Sequence, residues 1–200
     1  MKPSLKEIHR SHQGKISDRW ESYLEIYARL FSSKRNDSIH LLEIGIQNGG
    51  SLEIWAEYFS HARLLLGCDI NPLCGNLVYE DNRIAIVVAD ACNEDAFQQV
   101  ISYSSCFDFI IDDGSHHSGD IIVAFSKYFP LISEDGLFIA EDLHCSYWQE
   151  FEGGLTYPLS TIAFFKKLID LVNHEHWGVS ISRSAYVAEF NSHFGCTFDE

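Results

Sequence analysis

Residues 107–148 read FDFIIDDGSHHSGDIIVAFSKYFPLISEDGLFIAEDLHCSYW, and the fold follows from how this stretch is divided. Two short apolar runs, residues 107–111 and 136–140, each end in acids: Asp112-Asp113 and Glu141-Asp142. Between them, residues 118–129 form an amphipathic stretch closed by Pro130. The pattern is strand, helix, strand, and the helix is long enough for a right-handed crossover between parallel strands. Parallel neighbours point the same way, so both acidic ends emerge on one edge of the sheet, where open α/β folds bind ligands. Several carboxylates converging at one point do not all stay ionised without a cation. His116 and His117 stand directly beside them. The stretch therefore reads as a divalent-metal site with a candidate base attached.

Upstream, the same unit repeats. Residues 38–46 include the near-continuous apolar run IHLLEIG, which suits a strand buried on both faces. A turn, Gly45-Ile46-Gln47-Asn48-Gly49-Gly50-Ser51, follows and leads into a helix over residues 52–59. Its glycines permit a tight turn and a close approach of ligand to backbone N–H groups at a helix N-terminus. The turn is not GxGxxG. Residues 64–68 form the next strand, ending in Asp69, a carboxylate about 20 residues beyond the glycine turn and placed to accept the hydroxyls of a ribose. A third strand, residues 84–89, ends in Asp90, and Asn93 precedes a helix through Ile101. Five such units make a doubly wound α/β fold with a mostly parallel, Rossmann-like sheet.

The two ends of the chain break the pattern. Residues 1–16 are polar and predict an extended segment; Ser17 is placed to cap a helix running to about residue 31. Residues 1–37 are thus an N-terminal helical segment, and residues 38–200 carry the ligand-binding part of what reads as a single domain overall. After a loop at residues 151–159, Ser160 caps a helix through about residue 173, whose end carries His174-Glu175-His176. Residues 179–190 and 193–198 read as a terminal strand pair around Asn191-Ser192.

Composition narrows the function. The formal net charge of −15 over 200 residues argues against a nucleic-acid substrate, because phosphate binding needs a basic face. No apolar run has the length of a membrane span and the N-terminus is polar, which predicts a cytoplasmic protein. The six cysteines show no CxxC pair and no zinc-like spacing, and read as reduced thiols.

With Glu43-Ile44-Gly45, Gly49-Gly50, Asp69, Asp90 and the Asp112-Asp113 strand in this order, residues 38–148 resemble the class I S-adenosylmethionine-dependent methyltransferases. The resemblance implies that Gly45 and its loop, with Gln47, Gly49 and Ser51, receive the methionine part of S-adenosylmethionine. It implies that Asp69 takes the ribose hydroxyls, that Asp90 and Ala91 lie near the adenine, that Glu43 helps place the ammonium, and that Asp112 lines the cofactor. The pair DDGSHH and EDLHCSYW is similar to the metal-dependent sugar O-methyltransferases of macrolide pathways and to the cephalosporin hydroxylase-like group. That resemblance assigns Asp113, Glu141 and Asp142 to Mg²⁺, or Mn²⁺, and His116 to the base. Strand alternation alone leaves Asp112 and Asp113 as competing ligands. The segment HQGKISDRWESYLEIYARLF looks like the one that closes over the cofactor in those enzymes, which brings Lys15 and Tyr23 to the site. The expected partner is a small-molecule hydroxyl substrate, with no nucleic-acid and no membrane partner, and with room for a homo-oligomer. A dinucleotide-using Rossmann-like enzyme and a non-catalytic binding protein of the same fold stand as alternatives.

Overall fold

A computed structural model describes residues 2–198; residues 1, 199 and 200 lie outside the described residues. Five strands form one sheet in the order β3-β2-β1-β4-β5. They are β1 (His40–Ile44), β2 (Leu64–Asp69), β3 (Ile84–Val88), β4 (Phe107–Asp112) and β5 (Ile132–Ala140). β1 pairs in parallel with β2 and with β4, and β2 pairs in parallel with β3. The helices are α1 (Leu5–Ser11), α2 (Glu21–Phe31), α3 (Gly50–Tyr58), α4 (Glu94–Tyr103), α5 (Ser118–Tyr128), α6 (Thr161–Val172) and α7 (Arg183–Phe194). The chain divides into two compact units: one runs through Gly114 and adds Leu131–Ile139, the other comprises Ser115–Pro130 and the chain from Ala140 onward.

The first unit holds α1 to α4 and nearly all of the sheet. The register aligns Leu41 with Leu65 and Phe109 in one row, and Leu42 with Leu66 and Ile110 in the next. Successive side chains alternate between faces, so two apolar layers arise from one continuous run. Phe31, at the end of α2, reaches Phe109 at 4.2 Å between ring centroids, Phe59 at 5.4 Å and Trp55 at 5.6 Å. Leu24, Tyr27 and Phe31 recur at helical spacing and are the buried residues of α2. α4 lies against β2 and β3.

Two N-terminal expectations are corrected. Residues 5–11 are helical rather than extended, because Ser4 and Glu7 close a capping box: the Glu7 N–H donates to Ser4 Oγ at 3.2 Å and the Ser4 N–H to Glu7 Oε2 at 2.7 Å. Leu5 and Ile8, one helical turn apart, are fully buried. α2 starts at Glu21 and not after Ser17, with Trp20 at its N-cap. Residues 12–20 instead form an irregular strap. Its polar groups are drawn to acids elsewhere: the Lys15 N–H and Nζ to Glu53, and Arg19 to Glu43 and Asp113.

The second unit gathers α5, α6 and α7 around Phe164, whose ring lies 5.1 Å from Phe194, 5.2 Å from Phe190 and 5.5 Å from Phe125. The Thr161 N–H donates to Ser118 Oγ at 3.1 Å, tying the start of α6 to the start of α5. The predicted terminal strand pair is absent: residues 183–194 form α7. Ser182 Oγ accepts from the Ala185 N–H, Val187 and Phe190 supply a buried helical stripe, and Gly195 ends the helix in the left-handed region at φ 69°. The β-branched Val179 and Ile181 that suggested a strand are exposed. Among the described residues no helix is long and apolar enough to cross a membrane.

Truncating Phe31 removes the ring at the centre of the first unit. Phe31→Ala should cost about 3–5 kcal/mol of unfolding free energy, read from the shift in a urea transition.

Candidate functional site

The polar groups of the first unit meet where β1, β2 and β4 end. Glu43 sits one residue before the last of β1, is fully buried, and engages protein donors through both oxygens. Oε2 accepts from Ser51 Oγ at 2.7 Å and from Trp55 Nε1 at 3.1 Å, both on α3. Oε1 accepts from Arg19 Nη2 at 2.8 Å. The same nitrogen donates to Asp113 Oδ2 at 2.9 Å. Asp112 and Asp113 part company here. Asp112 is the last residue of β4, level with Ile44, buried, and accepts from the Gly114 N–H at 3.3 Å. Asp113 is one residue further, its own N–H donating to the Ile44 carbonyl at 2.9 Å.

Asp69 ends β2 and ties the glycine turn. Its Oδ2 accepts from the backbone N–H of Ile46 at 2.9 Å and of Gln47 at 2.8 Å, and its Oδ1 from that of Asn71 at 2.8 Å. Three of about four lone-pair directions of the carboxylate are thus used by backbone. The room left by the glycines is taken by the protein itself. A Cβ on Gly45, at φ 83°, would stand 2.1 Å from the Asp113 carbonyl oxygen; one on Gly49, at φ 76°, would stand 2.1 Å from the Tyr79 hydroxyl. Tyr79 donates to the Gly49 carbonyl at 3.0 Å, and Lys15 Nζ lies 4.2 Å over the Tyr79 ring while pairing with Glu53 at 2.6 Å. Tyr23 stands on α2 with Trp20 at 5.6 Å. Asp90 is a local turn former, accepting from the Cys92 N–H at 2.9 Å and from Asn93 Nδ2 at 3.2 Å; Ala91 between them is buried.

In the second unit the segment leading into α5 carries His116. The Ser115 hydroxyl accepts from the His117 N–H at 3.2 Å and donates to Asp120, which shapes the turn. His116 is held at φ 61° and its Nε2 lies 3.6 Å from Asp142 Oδ2. Its Nδ1 is buried without a hydrogen-bond partner among the described residues. Asp142, at φ 49°, also has the His144 Nδ1 at 3.9 Å from its Oδ1. Phe151 borders both histidines, 5.4 Å from His117 and 6.4 Å from His116. Glu141, which directly follows β5, is buried. Four described non-glycine residues occupy the left-handed region: Gln47, His116, Asp142 and Glu152. Such backbone is costly and gathers at functional sites, and three of the four are residues already singled out from the sequence.

Burial lowers the proton affinity of His116 more than Asp142 raises it, with His144 and His117 adding to the lowering. Burial pushes the Cys68 thiol up to about 12 and the Cys74 thiol to about 11, so both stay protonated. Sequence reasoning missed Arg19 and His144. Arg19 was hidden by the mistaken placement of a helix start at Ser17. His144 was legible in principle, lying two residues past Asp142.

No protein-family model matches the chain. It is 32% identical over 179 residues to the 8-demethyl-8-alpha-L-rhamnosyl tetracenomycin-C 2'-O-methyltransferase of Streptomyces olivaceus, covering 84% of this chain and 46% of that one. It is 31% identical over 202 residues to the demethylmacrocin O-methyltransferase of Streptomyces fradiae, covering 94% of this chain and 49% of that one. The chain thus spans about half the length of the curated relatives it matches. Among solved structures it is similar to the MycE methyltransferase of the mycinamycin biosynthetic pathway, in complex with Mg and SAH. That match has a TM-score of 0.79 and 25% identity, and covers 93% of this chain and 50% of that one.

The environment of His116 has a consequence for stability. A folded-state pKa below the unfolded value means that the folded protein resists protonation there. The contribution is intact above the unfolded value, about 6.5, and stability is lost as pH falls from there through the folded value. His116→Asn should therefore flatten the fall in unfolding free energy between pH 7.5 and pH 5, measured by denaturant titration of both proteins.

Proposed function

We propose, for a chain that carries the class I methyltransferase fold and is 31–32% identical, over the aligned residues, to the tetracenomycin-C and demethylmacrocin O-methyltransferases, that it is an S-adenosylmethionine- and Mg²⁺-dependent O-methyltransferase. Its acceptor is a hydroxyl of a small molecule, a sugar or glycosylated natural product. The observation that carries this reading is the similarity running through 94% of the chain to a demethylmacrocin O-methyltransferase. The donor chemistry agrees with it. β4 and β5 are neighbours in the sheet, and the chain passes directly from them into Asp112-Asp113 and Glu141-Asp142. Carboxylate oxygens suit Mg²⁺ or Mn²⁺ rather than zinc.

Asp113, Glu141 and Asp142 are the residues we assign to the cation. The Gly45 turn, with Gln47, Gly49 and Ser51, Asp69, and Asp90-Ala91 are those we assign to the cofactor, with Glu43, Asp112, Lys15 and Tyr23 around them. Asp69 gives a ribose hydroxyl its remaining lone pair while it holds the turn in shape. When bound, the sulfonium cofactor supplies the methyl group and the divalent ion acidifies the acceptor hydroxyl. The chain must then orient the acceptor and accept one proton. His116 does the second: its lowered proton affinity keeps the ring neutral near pH 7. The net charge of −15 disfavours nucleic acid as a partner, and six free cysteines suit the reducing cytoplasm in which we place the protein.

Assayed with a panel of deoxysugar glycosides, methyl transfer should stop in excess EDTA and return with Mg²⁺ or Mn²⁺; full turnover in EDTA, with no metal retained, would refute the cation. His116→Ala should lower kcat by about 10²–10⁴ while S-adenosylhomocysteine binds calorimetrically as to wild type. His117→Ala should do much less. The ascending limb of the pH–rate profile should fall below the unperturbed imidazole value of about 6.5, and a limb above it would count against His116. Asp69→Ala should weaken S-adenosylhomocysteine by at least about 1.5–3 kcal/mol, the worth of a hydrogen bond to a charged acceptor, because the turn that its carboxylate anchors is released as well.

A further inference from the structure

We propose that Arg19 is a positioning residue for cation binding: it holds the Asp113 carboxylate in the orientation that a divalent cation meets, with Glu43 as its anchor. The inference rests on the reading of Asp113 as a cation ligand. Arg19 belongs to the irregular strap, yet its side chain is only 4% exposed. Two N–H bonds of one nitrogen, Nη2, diverge to Glu43 Oε1 at 2.8 Å and Asp113 Oδ2 at 2.9 Å. The guanidinium carbon lies 5.3 Å from the ring centroids of both Tyr27 and Trp55. Glu43 is itself fixed through its other oxygen by Ser51 and Trp55. A continuous chain of short contacts therefore runs from α3 through Glu43 and Arg19 to Asp113.

The chemistry calls for such a group. Two carboxylates on one guanidinium leave a net charge of −1; without the guanidinium they would repel, and one would take up a proton. A protonated carboxyl is a poor cation ligand, since metal ligands bind deprotonated. Ligating carboxylates are commonly oriented by a hydrogen bond to one oxygen, and changing that donor typically weakens the metal about 10–100-fold. Lysine keeps the charge but not the planar group that lies against aromatic rings, so it does not hold its donors at the same point.

Mn²⁺ binding tests this without any turnover. Wild type and Arg19→Lys are titrated with Mn²⁺, free ion being read by electron paramagnetic resonance, and their thermal unfolding is compared as a check on folding. The expected result is a folded Arg19→Lys protein whose Mn²⁺ affinity is about 10–100-fold weaker. A folded variant within about threefold of wild type overturns the proposal, as does tighter binding, which would make Arg19 a competitor of the cation. If wild type binds no Mn²⁺, the cation reading itself fails and this inference falls with it, whereas an unchanged variant beside a binding wild type removes this inference alone. Should Arg19→Lys not fold, Glu43→Gln takes its place: it keeps the anchor's shape and loses its charge, with the same expected loss and the same overturning result.

Discussion

The structure depends on one buried charge. Glu43 sits in the central strand with no exposure at all, and an uncompensated carboxylate there would cost several kcal/mol. Its compensation comes from outside the strand: a hydroxyl and an indole from α3, and a guanidinium from the strap. The two groups from α3 stand on a regular helix, whereas the guanidinium comes from irregular chain. Arg19 turns inward rather than continuing a helix, and the strap carrying it crosses α3 so closely that a Cβ on Gly50 would stand 2.1 Å from the Lys15 carbonyl oxygen. A Cβ on Gly14 would stand as close to Glu53. At Gly50 and Gly14, then, it is the passage of the strap that leaves no room for a Cβ.

That constraint separates what was legible in the sequence from what was not. The strands were legible because they are parallel and buried on both faces, which writes them as continuous apolar runs ended by acids: IHLLEI, LLLGCD and FDFIID each read directly. α2, α5 and α6 were legible through their periodic apolar faces. The strap was not, since its conformation is set by partners 24 and 94 residues away, Glu43 and Asp113, and no local pattern encodes such partners. α7 failed for the opposite reason. Its β-branched approach, Val179 and Ile181, was read with the helix behind it, and the helix signal lay in Ser182 and Gly195 at its two ends.

The candidate site shows the same division. His116 and Asp142 were read from two motifs 26 positions apart, and the two side chains do face each other, at 3.6 Å. What the motifs did not carry was the engagement of the acids by protein donors. Asp69 anchors the glycine turn through three backbone N–H groups, and Glu43 is held by three side chains. Both were read from the sequence as groups held open for a ligand. They serve first as the framework that gives the ligand-facing turn its shape.

The strand order has a consequence for how the chain acquires its shape during synthesis. β1 lies at the middle of the sheet and needs β4, which ends at Asp112, to cover its second edge. Until that strand leaves the ribosome, β1 presents an open row of backbone donors and acceptors, and the aromatic rings of α2 lack Phe109. Pairings so far apart in sequence form slowly, so the β4 edge of β1 stays open while translation continues. Hydrophobic, unpaired edges of this kind invite association between nascent chains. The acidic balance of the whole chain works against that hazard by mutual repulsion.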